Sequence, residues 1–412
     1  MSVMKQHPRA AAAAALLLLA GCEAPLSKAI RHGDSPAVAA RLDAGDDING
    51  SLGSSGRTPL QIAAAEGRLD VAKLLLDRGA DVNVRRRGTG ALSQAVIAGD
   101  VEMTKLLLAH GAEAGRRELL WANGPRKAEL VALLQDAAAR QAAADQAAAA
   151  KAGAPAISTA PVSGVDEPTY KVGERPDDVA LVVAVARTMD GTESRFAAED
   201  AAAIRRHLVA LGWPSRNIVL LSDQAAGKAG LSRYLERWLP NNVVENSRVV
   251  FYFAGPGTSD AVGRAYLLPW DGDPAQPEAT CYPLTRLYEE LNALKVRSAV
   301  AVLDAGFGGD GPRTLKGAGA KVPAPKIDLG AASIGDAVAL VAAGDAKPVG
   351  LEEKERHGTL TYLLLKGLNG GAVDEHGAVT LKDLYRYART QAPEQNPQAL
   401  TGGLGEGDLR LR

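Results

Sequence analysis

Apolar residues recur along this chain in two rhythms. From Leu26 to about Asp136 they fall at helical spacing in short segments that end at glycine, as in Val71, Leu74 and Leu75 before Gly79, or Leu92, Ala95 and Leu106 to Leu108 before Gly111. From Asp178 onward they gather into continuous β-prone runs: Val179 to Ala186, Asn217 to Leu221, Arg248 to Ala254, Arg297 to Asp304 and Ala337 to Ala343. Runs without a helical period read as strands buried on both faces of a sheet. Helical segments separate or follow them, at Ala197 to Leu211, Leu231 to Trp238, about Pro283 to Leu294, Thr359 to Leu368 and Leu381 to Thr390. The alternation predicts an α/β three-layer sandwich with a mainly parallel sheet, preceded by an all-α region.

The all-α region is repetitive. GDDIN at Gly45 to Asn49 returns as GADVN at Gly79 to Asn83 and as GAEA at Gly111 to Ala114. Thr58 can cap a helix that Pro59 opens, Gly67 turns the chain, and Gly79 supplies a left-handed exit. In the next copy Gly90 and Ala91 replace the Thr-Pro pair. The segment Arg57 to Asn83, RTPLQIAAAEGRLDVAKLLLDRGADVN, resembles the ankyrin consensus, whose period is about 33 residues. With end units at Leu26 to Asp43 and Arg117 to Leu134, residues 26–136 make an ankyrin-repeat solenoid of about four units. The resemblance implies a grooved surface that docks proteins and carries no chemistry of its own. A spacer role is the plainer alternative. Ala137 to Ala152 reads as an alanine-rich, weakly helical tail, and Gly153 to Asp177 as a flexible linker rich in Pro, Ser, Thr and Gly.

Charge removes one class of partner. The formal net charge is −1, with no basic stripe, so nucleic acid is not an expected ligand. At the N-terminus Lys5 and Arg9 precede the apolar stretch Ala10 to Ala20, too short to span a bilayer as a helix, and LAGC follows at Leu19 to Cys22. LAGC resembles the lipobox of bacterial lipoproteins. That implies a signal peptide at 1–21, a lipid-anchored N-terminus at 22–25 acylated on Cys22, and a place in the cell envelope. An ordinary secretory signal is the alternative. With Cys22 acylated, Cys281 has no intramolecular partner, and neither a disulfide nor a structural zinc is expected.

Ligands in open α/β sheets lie beyond the carboxyl ends of the strands. The loops after Ala254 and Asp304, GPG and AGFGG, belong to that zone. Together with AYLLPWDGDP, YPLTRLYEEL, and HGTLTYLLLKGL with VTLKDLYRY, the segments VVFYFAGPGTSD and VAVLDAGFGG resemble the caspase-like cysteine peptidases of bacteria, over residues 178–412. That family places a histidine in a GHG turn after one strand and a cysteine in a DACFSG turn after its neighbour, within hydrogen-bond reach of each other. Here those positions are Pro256 and Gly306, and the serine position is Gly308. The resemblance therefore implies a pseudoenzyme without catalytic residues and with no cofactor.

Family members that cleave after basic residues carry two pocket acids, and Asp200 and Asp304 stand at the matching places. This implies retained binding of a basic peptide. The residues by themselves equally allow Asp304 to satisfy amides at a strand end and Asp200 to favour a helix N-terminus. His357 fits the family's HG before a helix and would line the pocket mouth, or else cap or pack. Cys281 is the one replacement thiol, before a helix that Pro283 opens, a setting that can lower a thiol pKa. Gly306, Gly308 and Gly311 match GxGxxG, but the breaker-rich stretch Pro312 to Lys326 follows where a nucleotide fold needs a helix. His32, His110, His207 and His376 form no metal-ligand pattern.

The expected function is non-catalytic binding of a protein or peptide by an envelope lipoprotein, through ankyrin repeats and an inactive caspase-like domain. The rivals are a cysteine endopeptidase using Cys281 and a purely structural spacer.

Overall fold

The structure, a computed structural model, describes residues 24–53, 55–86, 89–151, 160–307, 338–341, 350–393, 397–401 and 411–412. Cys22, Gly308 and Gly311 lie outside them. The chain divides into two compact units between Gln141 and Ala142.

In the first unit, helices pair in the sequence α1 (Pro25–His32) with α2 (Ser35–Asp43), α3 (Pro59–Ala65) with α4 (Leu69–Asp77) and α5 (Ala91–Ala98) with α6 (Val101–Ala109). Then come α7 (Arg116–Trp121) and α8 (Lys127–Lys151), of which the part up to Gln141 belongs to this unit. Their apolar faces share one core that includes Ile62, Val71, Leu75, Val96, Val101 and Leu107. The Thr58 hydroxyl accepts the Gln61 N–H at 3.2 Å and the Gln61 side chain accepts the Thr58 N–H at 2.9 Å, a reciprocal cap at the start of α3. Where Gly90 and Ala91 replace Thr-Pro, the Ser93 hydroxyl takes the Gly90 N–H at 3.3 Å and donates to the buried Glu118 at 2.7 Å. The recurring asparagines stitch repeat to repeat: Asn49 Oδ1 accepts from Asp81 N at 2.9 Å, and Asn83 Oδ1 from Glu113 N at 3.0 Å. That is the physical content of the GDDIN and GADVN echo.

The second unit is built on strands β1 (Val179–Ala184), β2 (Ile218–Ser222) and β3 (Arg248–Ala254), a small antiparallel sheet of β4 (Gly257–Ser259), β5 (Ala265–Leu267) and β6 (Tyr282–Pro283), then β7 (Ser298–Asp304) and β8 (Val338–Val341). A two-stranded ribbon, β9 (Leu351–Glu352) and β10 (His357–Gly358), and β11 (Gln398–Thr401) complete the set. The main sheet has the order β11-β8-β7-β3-β1-β2. Strands β2, β1, β3 and β7 are parallel, β8 continues them in parallel, and β11 closes the edge antiparallel. Strands β4 to β6 and β11, short and bounded by turn residues, are absent from the strands expected from the apolar runs.

Alternating side chains explain the unbroken apolar runs. Val249, Phe251 and Phe253 point to one core, and Val250, Tyr252 and Ala254 to the other. The first core packs on α10 (Lys228–Arg233), a single π-turn (Tyr234–Trp238), α11 (Leu239–Asn242) and α13 (Leu284–Ala293), which follows the short α12 (Pro277–Thr280). The second packs on α9 (Ala197–Ala210), α14 (Thr359–Lys366) and α15 (Leu381–Gln391). Helices thus cover both faces of the sheet. At the amino end of β3 the buried Arg248 guanidinium is held by Asp178 at 2.5 Å and lies over the Trp213 ring, 4.0 Å from its centroid.

The segment read as flexible linker to Asp177 is instead a strap over its length from residue 160. It forms a turn at Gly164–Asp166, buries Asp166, and lies along α9 and the turn after α14.

Candidate functional site

Strands β3 and β7 run in parallel with Ala254 opposite Asp304, so Pro256 and Gly306 each lie two residues beyond the last paired position. The two loops touch. A Cβ added to Gly257 would come within 2.4 Å of the Gly306 carbonyl oxygen and 2.7 Å of the Phe307 ring, so only glycine fits there. Pro256 is buried, and its carbonyl accepts the Leu268 N–H at 3.1 Å from the small sheet. No side chain at Pro256, Gly257 or Gly306 can titrate or attack, and the backbone itself fills the space between the strand ends.

Beside these loops stands a chain of buried polar groups centred on His357. Its Nδ1 lies 2.7 Å from Asp200 Oδ1 and its Nε2 2.8 Å from Asp166 Oδ1, with all three side chains fully buried. Burial alone would push this imidazole down. The bonds to Asp166 and Asp200 win and raise it to about 9, so at neutral pH it is an imidazolium that donates from both nitrogens. Burial likewise opposes the charge on Asp166, but the His357 contact and the Val162 N–H hold its carboxyl below the usual carboxylate range. The Arg206 guanidinium adds a contact to the second Asp166 oxygen at 3.1 Å. Two carboxylates and the His357 imidazolium are thus buried together, with the partly exposed Arg206 at the edge.

The expected pocket acids are brought together, though not as an open pocket. Asp200 accepts the Gly358 N–H at 3.2 Å, and Asp304 accepts the Thr361 N–H at 3.1 Å and its hydroxyl at 2.6 Å. Tyr252 OH also meets that hydroxyl at 2.6 Å. Both carboxylates are fully buried and spent on the start of α14, whose first amides lack helical partners and favour negative charge. Basic-side-chain capture by Asp200 and Asp304 does not fit this arrangement. His357 is likewise corrected from a place at a pocket mouth to the centre of an ion cluster.

Backbone strain concentrates beside the cluster. Phe196, just before α9, has φ 65°, and Arg356, just before His357, has φ 58°. Arg195 and Arg356 flank the Phe196 ring, at 4.8 and 5.9 Å from its centroid, and pair with Glu353 and Glu199. These contacts hold the two turns that deliver Asp200 and His357.

Cys281 lies in another small core with Tyr266 and Leu268. Burial pushes its thiol up to about 11, against the lowering expected at a helix start. Among the described residues, no cluster of three or more His, Cys, Asp or Glu side chains is arranged to hold a metal ion. Asp166, Arg206 and Thr361 were missed by sequence reasoning. Only the Ser163-x-x-Asp166 spacing, a capping-box pattern, hinted that the linker held structure.

With both units described, comparison with known proteins assigns the first. Residues 26–118 are ankyrin repeats, matched in three copies. The region is similar to the rat Ankyrin repeat and SAM domain-containing protein 6, 38% identical over 21% of this chain and 10% of that protein. It is also similar to Serine/threonine-protein kinase 12 of Arabidopsis thaliana, 35% identical over 20% of this chain and 18% of the kinase. The chain therefore spans less than a fifth of these relatives.

Proposed function

We propose that this protein is a non-catalytic, protein-binding lipoprotein of the bacterial envelope, in which ankyrin repeats dock a partner and a caspase-like domain serves without its dyad. The repeats suggest protein binding, and their exposed Ile97 and Leu120 offer apolar contact on a polar surface. The caspase-like assignment rests on the motifs along residues 178–412 and is supported by the parallel sheet with helices on both faces. The observation that carries the non-catalytic reading is the level pair Pro256 and Gly306, packed loop against loop where the family holds base and nucleophile. The buried, protonated Cys281 weighs against a substitute thiolate. Incubation with fluorogenic peptides ending in Arg, Lys or Asp tests this. No turnover is expected, and turnover abolished by Cys281→Ser would sink the proposal.

A further inference from the structure

The strap is bound as a peptide is bound. Its Val165 carbonyl accepts from His207 Nε2 at 2.9 Å and from the Asn369 amide at 3.1 Å. The Asp166 carbonyl accepts from Arg206 Nε at 3.1 Å, and the Glu167 carbonyl from Asn369 at 3.0 Å. Thr169 N donates back to the Asn369 side chain at 3.0 Å. The fully buried side chain is the Asp166 carboxylate, between His357 and Arg206, while Val165 and Tyr170 pack partly buried against the core and Tyr170 OH meets His207 Nδ1 at 2.8 Å. The receiving groups come from α9, the β10 turn and the turn after α14, and apart from Asp166 the polar contacts read mainly backbone. This is the pattern of a site that recognises an extended segment with one acidic anchor.

We propose that this cleft is a recognition site for short aspartate-bearing peptide segments of the Ser-Gly-Val-Asp type, and that the strap occupies it in cis as an exchangeable ligand. The inference does not depend on the second unit being caspase-like, nor on its lack of catalysis. It reverses the ligand charge expected from Asp200 and Asp304, because the cationic pair Arg206 and His357 selects a carboxylate while a basic side chain would meet like charge. Tethering gives the strap an effective concentration on the order of 1 mM, so a segment of about 10 μM intrinsic affinity would be masked about 100-fold in the intact chain. Freeing the strap should unmask the site.

The test uses the full chain with a protease site inserted after Gly173, in the exposed stretch between strap and sheet. After cutting, the two fragments should remain largely associated in sedimentation equilibrium at about 100 μM, well above the strap's intrinsic dissociation constant. Excess synthetic peptide spanning Pro161 to Tyr170 should separate them, while the same peptide with Asp166→Ala should not. By fluorescence anisotropy, labelled peptide should bind the cut protein at least about 10-fold more tightly than the uncut protein. Asp166→Ala in the uncut chain should raise peptide binding similarly. Fragments that resist excess peptide, or a C-terminal fragment that loses its circular-dichroism signal when the strap leaves, would make the strap a core element and overturn the proposal. Equal displacement by the Asp166→Ala peptide would overturn the acidic anchor.

Discussion

Two buried histidines on the same helical side of the sheet are shifted in opposite directions, and His357→Gln separates them. His357 is raised from 6.5 to about 9. At about 1.4 kcal/mol per pKa unit this links to roughly 3 kcal/mol of stability. Because the folded value is the higher, that stability is fully present below pH 6.5 and is lost as pH rises through 9. The lowered Asp166 belongs to the same interaction and adds nothing further within this window. His207 is lowered from 6.5 to about 4 by burial, and its neutral ring donates to Val165 O and accepts from Tyr170 OH. Its roughly 3 kcal/mol runs the other way, present above pH 6.5 and lost as pH falls through 4. The second unit should therefore be most stable near pH 6.5. Urea unfolding followed by tryptophan fluorescence between pH 4.5 and 9.5 measures this, since Trp213 is buried in that unit. His357→Gln should flatten the alkaline limb and lower stability at pH 6.5 by about 3 kcal/mol, while His207→Gln should flatten only the acid limb. A wild-type profile that is level from pH 6.5 to 9, or an alkaline slope that survives His357→Gln, would refute the charged Asp-His-Asp cluster.

Other predictions follow from single contacts. Thr58→Ala removes one half of the reciprocal cap on α3 and should cost the ankyrin unit about 1 kcal/mol, read by thermal melting in circular dichroism. Asp178→Ala leaves the buried Arg248 guanidinium without its carboxylate and should cost the second unit about 3–5 kcal/mol in urea titration. Cys22→Ser should abolish incorporation of a clickable fatty acid and release the protein from the membrane fraction; labelling unchanged by the substitution would remove the lipoprotein assignment.

The strands that position the site were legible because each face of β1, β3 and β7 is buried, which forces apolar residues at the positions between the strand ends. Pro256 and Gly306 were placed in the glycine loops after the two strands, and the register of β3 and β7 sets them level. The ion cluster was not legible. Asp166 and His357 are 191 residues apart, and Asp166 sits among Ser, Gly, Pro and Thr, a composition shared by flexible linkers and by straps held through backbone hydrogen bonds. Sequence reveals the turn formers and is silent about the carbonyl partners on α9 and after α14. Asp200 and Asp304 were read as acids of a pocket for a basic side chain, whereas both are fully buried. Their partners, the amides at the start of α14, carry no side-chain signature.

The most direct measurement is covalent. In Cys22→Ser protein Cys281 is the only thiol, and exposure to peptidyl acyloxymethyl ketones bearing Arg, Lys or Asp next to the warhead followed by intact mass spectrometry reports any competent nucleophile. A chain without a competent nucleophile keeps its mass unchanged under conditions that label an active cysteine peptidase completely, and that is the expected result. A stoichiometric adduct on Cys281, formed by the native protein, would contradict it.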